Sequence, residues 1–381
     1  MLTLPPLSLY IHFPWCIRKC PYCDFNSHTL LSELPEKNYI DALIVDLEQD
    51  LENLQHRPII SIFMGGGTPS LFSCDTLNYL LVELAKRLEF SDAIEITLEA
   101  NPGTVDYQRF NGYREAGINR LSLGIQSFST EKLKILGRIH DGNEAIKAVS
   151  AAKTAGFTNI NLDLMHGLPQ QNIKEGLQDL QIAFSLEPTH ISWYQLTIEP
   201  NTEFYQRPPQ LPLEETLGEL QERGEAILKQ KAYKHYEISA FSKDGYHCIH
   251  NRNYWQFGDY IGIGAGAHSK ITDTKKKTIR RAWKQKNPKT YLAQKNHFLV
   301  EEKFILVEDL PFEFMLNALR LYQKIPAELF QQRTGLSFSH IQPILHKAQQ
   351  QGLLTYDALA METTEFGKRF YNNLLGLFMS D

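Results

Sequence analysis

The sequence predicts an α/β fold: a partial (β/α)6 TIM-like barrel with a small C-terminal helical, winged-helix-like domain. Short apolar strands alternate with amphipathic helices through the first 240 residues. The strands are almost continuously apolar, which is typical of a parallel sheet that is covered on both faces. From about residue 305 the pattern changes to short helices with a glycine-marked turn, and this change predicts a separate compact unit.

Six segments predict the strands of the barrel: residues 8–13, 59–64, 93–100, 120–127, 159–166 and 190–198. Amphipathic helices are predicted where apolar residues recur at helical spacing, over 36–55, 76–88, 175–186 and about 213–231. Six strand–helix units form most of a barrel, in which function lies on the loops that follow the carboxyl ends of the strands. We therefore expect the motifs after these strands to form one site.

The predicted boundaries divide the chain into a barrel over residues 1–240, a barrel-completing segment over 241–304 and a helical cap over 305–381. The middle segment holds the basic run KKKTIRRAWKQK at 275–286. This run predicts a solvated hairpin, with contact to an anionic partner or a membrane surface as the alternative. The formal net charge is −5, which argues against nucleic-acid binding.

The N-terminal sequence MLTLPPLSLYIHFPWC lacks the cationic region and the cleavage site of a signal peptide. No apolar stretch of the sequence approaches the roughly 20 residues that a membrane-spanning helix needs. We therefore expect a cytoplasmic protein, in which thiols stay reduced and clustered cysteines indicate a metal site more than a disulfide. Cys74 and Cys248 stand alone in the sequence and are expected to pack.

The segment CIRKCPYC contains Cys16, Cys20 and Cys23. One interpretation is a zinc ion held by these thiolates and a fourth ligand such as His12, His28 or Asp24. Structural zinc usually recruits two separated cysteine pairs, however, and the sequence has no second pair. A [4Fe–4S] cluster normally takes one cysteine for each iron. Three cysteines would therefore leave one iron open to a small molecule.

Glycines and polar residues follow the other predicted strands. The segment GGGTPS at 65–70 would let the backbone approach a ligand closely and would offer free N–H groups. Glu99, Gln126, Arg138 and Asp163 lie at or just beyond strand ends. Each of these residues, taken alone, is typical of a loop cap or a surface group.

The spacing C-x3-C-x2-C after the first strand of a β/α barrel resembles the radical S-adenosylmethionine (SAM) superfamily. The resemblance implies a [4Fe–4S] cluster whose fourth iron binds SAM, so that one electron can cleave SAM to methionine and a 5′-deoxyadenosyl radical. Tyr22 would shield the cluster and lie near adenine. The resemblance assigns SAM contacts to Gly65, Gly66, Gly67, Thr68, Glu99, Gln126, Arg138 and Asp163. These groups suit an ammonium, a carboxylate and ribose hydroxyls.

Seven motifs and the C-terminal helices resemble the oxygen-independent coproporphyrinogen III oxidase family over nearly the whole chain: YIHFPWC, CPYCDFN, GGGTPS, EANPG, GIQSF, LGRIH and DLMHGLPQQ. This resemblance adds Tyr10 to the positions that bind cluster or SAM. The oxidases carry a further cysteine as C-x-C after the third cluster ligand, where this chain has Asp24 and Phe25. They also have a longer extension before the first strand. Both differences argue against decarboxylation of coproporphyrinogen.

These differences and the segment HNRNYW at 250–255 resemble the HemW branch, whose members bind heme and pass it to apoproteins such as respiratory cytochromes. The resemblance implies heme as a third cofactor with His250 as its iron ligand, while His235, His247 and His268 are competitors. An electron donor for the cluster is also implied, and a homodimer would cover an exposed cluster. The alternatives are an enzyme that acts on a porphyrin and a zinc-stabilised scaffold that binds partners through the cap.

Overall fold

The computed structural model describes residues 1–379. Each strand predicted for the barrel is present, with ends shifted by a few residues. The elements up to the sixth predicted strand are β1 Leu7–Phe13, β2 Trp15–Cys16, β3 His28–Thr29, α1 Glu36–Asp50, β4 Ile59–Gly66, α2 Cys74–Ala85, β5 Phe90–Ala100, α3 Tyr107–Glu115, β6 Arg120–Gln126, α4 Thr130–Ile135, α5 Gly142–Thr154, β7 Ile160–His166, α6 Ile173–Ser185 and β8 His190–Gln195.

The chain continues with helices and a series of mainly antiparallel strands. These elements are α7 Glu203–Gln206, α8 Glu214–Gln230, β9 Lys234–Glu237, β10 Ala240–Ser242, α9 Ile249–Trp255, β11 Asp259–Ile263, β12 His268–Asp273, β13 Thr278–Lys284, α10 Pro288–Ala293 and β14 Leu299–Phe304. The last part comprises α11 Leu310–Ala318, β15 Ile325–Pro326, α12 Ala327–Thr334, α13 Gln342–Gln350, β16 Leu354–Tyr356, β17 Ala360–Thr363, α14 Glu365–Arg369 and α15 Tyr371–Gly376.

Within residues 1–379 the main sheet has the strand order β14-β13-β12-β11-β1-β4-β5-β6-β7-β8-β10-β9. The strands from β11 to β8 are parallel, and antiparallel strands extend both ends. The sheet curves as a barrel but does not close, which confirms the predicted partial barrel. The sequence prediction missed β11, which pairs with β1, because Gly258, Gly262, Gly264 and Gly266 in and around the sequence DYIGI resemble a loop.

The two faces of β1 show how the barrel is built. Its outer face packs beneath the helices through Leu7, Leu9, Ile11 and Phe13, which are fully buried. Its inner face carries Ser8, Tyr10 and His12, in register with Ser61, Phe63 and Gly65 of β4. Side chains alternate between the faces of a strand, so the inside of the barrel is more polar than a packed core.

Helix α9 fills the barrel at the level where the strands begin. The Glu95 carboxylate of β5 accepts hydrogen bonds from the backbone N–H groups of Ile249 (2.9 Å) and His250 (3.3 Å). Asn253 donates to the Ser8 hydroxyl at 2.9 Å. A carboxylate at the first turn satisfies N–H groups that lack partners within the helix. The helix that carries the whole HNRNYW segment is therefore anchored to the inner faces of the strands.

Buried ion pairs join the strands beyond β11. Asp259 lies between Arg57 at 2.8 Å and Lys270 at 2.9 Å. Burial alone would raise the pKa of Asp259, but these two cations hold it below its usual range. Removing one partner of such a buried group would leave the other charge uncompensated. This cluster therefore fixes β11 against the hairpin that follows.

The basic run forms the predicted hairpin, but only its turn and its last residue, Lys286, are exposed. Lys275, Lys276 and Lys277 are exposed. Lys284 is buried between Asp46 at 2.6 Å and Asp50 at 2.7 Å. The expectation of a solvated run is wrong for this lysine, because its partners lie on α1, far away in the sequence.

The C-terminal part has its own apolar core, formed by residues such as Phe314, Met315, Phe330, Leu345 and Leu374. Helices α11 to α15 pack around a small antiparallel sheet of order β15-β17-β16. Helices with a small antiparallel sheet agree with the predicted winged-helix-like unit. The boundaries at residues 240 and 304 stay a prediction. Among residues 1–379, no helix has the length and apolar character that crossing a membrane requires.

Candidate functional site

A cavity of about 350 Å³ opens where the parallel strands end. Most of the predicted site residues line it: Cys16, Cys20, Tyr22, Cys23, Gly66, Gly67, Thr68, Glu99, Gln126, Arg138 and Asp163. Its volume is at the lower end of the range for small-molecule sites. Residues from five different strand ends thus meet in one place, although they are up to 147 positions apart in the sequence.

The three clustered cysteines lie on the loop after β1 and carry thiols that are unpaired within residues 1–379. A polar group lies near each sulfur atom: Thr68 Oγ1 at 3.4 Å from Cys16, Arg138 Nη1 at 3.8 Å from Cys20 and Ser27 Oγ at 3.5 Å from Cys23. Burial raises the pKa of the Cys16 thiol, and the hydrogen bond from Thr68 acts against this rise. Donors around sulfur stabilise thiolate ligands and the sulfides of a cluster.

The arrangement of ligands bears on the choice between zinc and a cluster. Among residues 1–379, no group of three or more His, Cys, Asp or Glu side chains is arranged to hold a single metal ion. Zinc needs ligands that converge on one point, whereas each thiolate of a [4Fe–4S] cluster binds a different iron. His12 has both ring nitrogens in hydrogen bonds, to Tyr10 and to the Asn26 carbonyl. The chemistry of this donor set therefore fits a cluster better than zinc.

The glycine segment after β4 does not offer the free N–H groups that we expected. Gly66 donates its N–H to Glu99 at 3.1 Å. Gly67 donates to the Phe13 carbonyl at 2.6 Å, and Thr68 donates to the Trp15 carbonyl at 2.8 Å. The expectation is wrong because Glu99 of β5 and two carbonyls at the end of β1 and the start of the cysteine loop use these donors. An ammonium group needs acceptors rather than donors, so the loss of these N–H groups does not oppose binding of the SAM amino group here.

Close packing explains the glycines. Gly66 has φ +109°, and a Cβ atom there would lie 2.4 Å from the His12 ring. A Cβ atom on Gly67 would lie 2.6 Å from the Trp15 carbonyl oxygen. Any other residue at Gly66 would collide with His12 of β1, and any other residue at Gly67 would push the start of the cysteine loop away from β4.

Two buried carboxyl groups, Glu99 and Asp163, lie on the inner wall. Burial raises the pKa of Glu99 to about 7, and the nearby charge of Asp163 contributes to this rise. Burial also raises the pKa of Asp163, while hydrogen bonds from Asn161 and Ser122 act against it. Like charges in a buried site disfavour double ionisation. The pair is therefore suited to receive a cation, which would favour the ionised form of both groups.

Arg138 and Gln126 line the same cavity as these carboxyl groups. Arg138 donates Nη2 to the Gly124 carbonyl at 2.7 Å. Its buried Nε has no hydrogen-bond partner among the described residues. Gln126 has a left-handed backbone, φ +67°, and its Oε1 accepts a hydrogen bond from Tyr194 at 2.9 Å. An unsatisfied guanidinium N–H is costly when buried, and a ligand carboxylate would satisfy it.

Tyr10, Gly65 and His250 do not line this cavity. Tyr10 lies deeper in the barrel, and its hydroxyl hydrogen-bonds with Nδ1 of His12 at 3.0 Å. His250 is only 7% exposed, and its Nδ1 hydrogen-bonds with the Ser61 hydroxyl at 3.1 Å. Its ring contacts Phe63 and Tyr10, with centroid distances of 5.1 Å and 6.3 Å. The structure thus places His250 below the cavity instead of on its wall.

Sequence reasoning missed several groups that the fold brings to the site. Asn251 and Trp255 of α9 line the cavity, as does Arg320 from the C-terminal part. A second cavity of about 690 Å³ shares Tyr194 and Ser239 with the first. It lies between β8, α8 and the C-terminal part, and His235, Trp193, Tyr322 and Lys368 are among its lining residues. The only available sequence signal was the aromatic HNRNYW segment itself.

Comparison with known proteins agrees with this architecture. Residues 10–182 match the family model of the radical SAM superfamily, and residues 305–370 match that of the HemN C-terminal domain. Heme chaperone HemW of Haemophilus influenzae is 52% identical to this chain, and the alignment covers 100% of both proteins. This chain belongs to the HemW family. HemW of Escherichia coli is 49% identical, with 100% of both proteins covered. HemW of Bacillus subtilis is 32% identical, over 98% of this chain and 99% of that protein.

The fold of this HemW family member is also found in a solved structure. Coproporphyrinogen III oxidase (HemN) from Escherichia coli, a radical SAM enzyme, superposes with a TM-score of 0.84 at 24% identity. The superposition covers 98% of this chain and 90% of that chain. It therefore includes both the open barrel and the C-terminal unit, and it confirms the predicted α/β fold of the radical SAM type.

Proposed function

We propose that this protein is a heme chaperone that holds a [4Fe–4S] cluster, SAM and heme, and that delivers heme to apoproteins such as respiratory cytochromes. The observation that carries the proposal is the full-length similarity, at 52% identity, to a protein named heme chaperone HemW. The polar cavity with three unpaired thiols supports the cluster and SAM parts of the proposal.

The residues suited to each group follow from their chemistry. Cys16, Cys20 and Cys23 would bind three irons of the cluster, which supplies the electron for SAM cleavage when it is bound. Glu99 would receive the ammonium group of SAM, with acceptors of the glycine segment beside it. Arg138 would pair with the SAM carboxylate through its unsatisfied Nε. Asp163 and Gln126 would accept hydrogen bonds from ribose hydroxyls.

The environment of His250 supports its assignment as the heme ligand. Burial lowers the pKa of His250 to about 3, and the Arg120 charge adds to this effect, so the imidazole stays neutral as a metal ligand must. Ser61 hydrogen-bonds with Nδ1. Among the described residues Nε2 has no such partner, and one held nitrogen with one available nitrogen is the usual arrangement of a ligating histidine.

A second candidate function is coproporphyrinogen III oxidation, favoured by the similarity of the fold to that of HemN. One position argues against it. Phe25 stands where the oxidase pattern has a cysteine, and its 61% exposed ring lines the cavity. A phenyl ring cannot replace a thiol in proton transfer or metal binding.

Parallel assays on one anaerobically reconstituted batch would distinguish the two functions. We expect near-stoichiometric heme uptake, followed by transfer of heme to an apocytochrome, and no formation of protoporphyrinogen from coproporphyrinogen III. Absorption spectra and product chromatography would measure the outcomes. Protoporphyrinogen formation without heme transfer would instead support the oxidase.

The raised pKa of Glu99 predicts a pH dependence of SAM binding. Below pH 7 the protonated carboxyl cannot pair with an ammonium group, so we expect SAM affinity to fall by about tenfold for each pH unit. Above pH 7 the affinity should level off. Equilibrium SAM titrations from about pH 5.5 to about pH 8, a range that spans the pKa of Glu99, would measure this dependence. Glu99→Gln should bind SAM weakly with little change over this range, and equal slopes in both proteins would contradict the role of Glu99.

The electron donor, a homodimer, peripheral membrane contact and the cytoplasmic location stay predictions. The exposed turn at 275–277 is where a membrane surface would meet the chain, because the other basic side chains of the hairpin, including Lys284, largely have acidic partners within the fold.

A further inference from the structure

Arg320 belongs to the C-terminal part of the chain but lines the cavity of the cysteines. Its backbone is held on both sides. Its backbone N–H donates to the backbone carbonyl of Asn317, and its backbone carbonyl accepts from the N–H of Ile238, each at 3.1 Å. The backbone N–H of Tyr322 donates to the backbone carbonyl of Tyr236 at 3.0 Å. These bonds attach the segment after α11 to β9 at the edge of the main sheet, so the position of Arg320 depends on docking of the two parts.

The guanidinium of Arg320 stacks on an aromatic ring of the HNRNYW segment. Its central carbon lies 4.4 Å from the centroid of Trp255, a distance typical of a cation–π contact. This contact holds the guanidinium over the indole face of Trp255, at the end of α9. Trp255 therefore acts as a positioning residue for this cation.

The charge of Arg320 is incompletely compensated. Among residues 1–379 no carboxylate forms an ion pair with it within 4.0 Å, and its buried Nε has no hydrogen-bond partner. Glu237, Tyr322 and Tyr371 are the titratable groups that face it, and Tyr371 shares a side-chain hydrogen bond with it. Burial raises the pKa of Glu237, and the charge of Arg320 acts against this rise. A partly buried guanidinium without an anion is costly, so the site is suited to an anionic ligand.

The SAM carboxylate already has a suitable partner in Arg138, on the side of the cavity that holds Cys20. Arg320 lies instead beside α9, the helix that carries His250. We propose that Arg320 binds a propionate carboxylate of heme through a bidentate hydrogen-bonded pair. This inference rests on the proposed heme-binding function and names a residue that recognises the substrate. It also gives the docked C-terminal unit a direct role in the site, since the unit supplies the cation.

Comparison of heme with its dimethyl ester tests the proposal, because the ester keeps the ring and the iron but loses both negative charges. We expect the wild-type protein to bind heme about tenfold or more tightly than the diester, as a charge-assisted pair predicts. Arg320→Gln should lose about that factor for heme and almost nothing for the diester, so that the discrimination disappears. Arg18→Gln is the matched control, because Arg18 is an exposed arginine that lines the same cavity, and it should keep the discrimination.

Circular dichroism and SAM titration would show whether each variant is folded. If Arg320→Gln does not fold, Arg320→Lys decides, because lysine keeps the charge beside Glu237 but lacks the planar fork. We expect its heme-to-diester ratio to fall at least about threefold. The role of Arg320 would be overturned if folded Arg320→Gln or Arg320→Lys kept the wild-type ratio of heme affinity to diester affinity, or if only Arg18→Gln lost that ratio. Either result would leave the chaperone proposal intact. A wild-type protein that binds neither ligand would overturn the proposed function itself.

Discussion

Replacement of Cys16, Cys20 or Cys23 by serine is expected to reduce the iron and sulfide content of the reconstituted protein to below about a tenth of the wild-type level. Each thiolate would bind a separate iron, and a serine hydroxyl is a poor ligand because it stays protonated near neutral pH. Metal analysis and the visible absorption of anaerobically purified protein measure the effect. SAM binding should be lost with the cluster, since the fourth iron is its anchor.

Cys74→Ser is the matched control for these variants. Cys74 is also a partly buried unpaired thiol, but its sulfur donates to the Arg109 carbonyl at 3.4 Å, away from the cavity. This variant should keep its iron and its colour. A colourless wild-type protein with stoichiometric zinc would instead support the zinc-stabilised scaffold.

Replacement of His250 by alanine is expected to weaken heme binding by about tenfold or more, which corresponds to about 1.4 kcal/mol or more. The absorption maximum of bound heme should shift as the axial nitrogen is lost. Ser61→Ala should have a smaller effect, because it removes the hydrogen bond to Nδ1 but keeps the ligand. Heme titration followed by absorption spectroscopy measures both changes.

His235→Ala tests the competing ligand. The His235 ring stacks on Phe241, with a centroid distance of 4.0 Å, and lines the cavity of about 690 Å³. Burial lowers the pKa of His235 to about 4, so its imidazole is also neutral. We expect wild-type heme affinity in this variant. Loss of binding here, with none in His250→Ala, would transfer the ligand role to His235 and to the larger cavity.

Helix α9 joins the proposed heme contacts to the rest of the protein. Its first turn is bonded to Glu95 on β5, its middle contacts β1 through Asn253, and its end supports Arg320 through Trp255. A seven-residue helix with these contacts is rigid because each end is tied to a different part of the fold. We therefore expect heme binding to depend on docking of the C-terminal unit as well as on the barrel.

The sequence alone determined the alternation of strands and helices and predicted the three proposed cluster ligands. Both depend on short-range patterns: apolar residues at fixed spacing, and Cys16, Cys20 and Cys23 within one loop. Glu99, Gln126 and Asp163 lie on β5, β6 and β7, and the sequence predicted that they meet because the carboxyl ends of parallel strands share one edge. The expectation that Arg138 lies at or just beyond a strand end is wrong, because α4 separates it from β6 and only the fold brings it to the cavity. β11 was missed, since the glycines in and around it resemble a loop and the strand is defined by pairing with β1 and β12, which are distant from it or not evident in the local pattern.

Only the tertiary structure decided which groups remain available to a ligand. The N–H groups of Gly66, Gly67 and Thr68 are used within the protein, and Lys284 of the basic run is buried against α1. Arg320 reaches the cavity from a different part of the chain. Hydrogen bonding and burial are set by neighbours that are distant in the sequence, so local patterns can identify the chemistry of a residue but not its free partners.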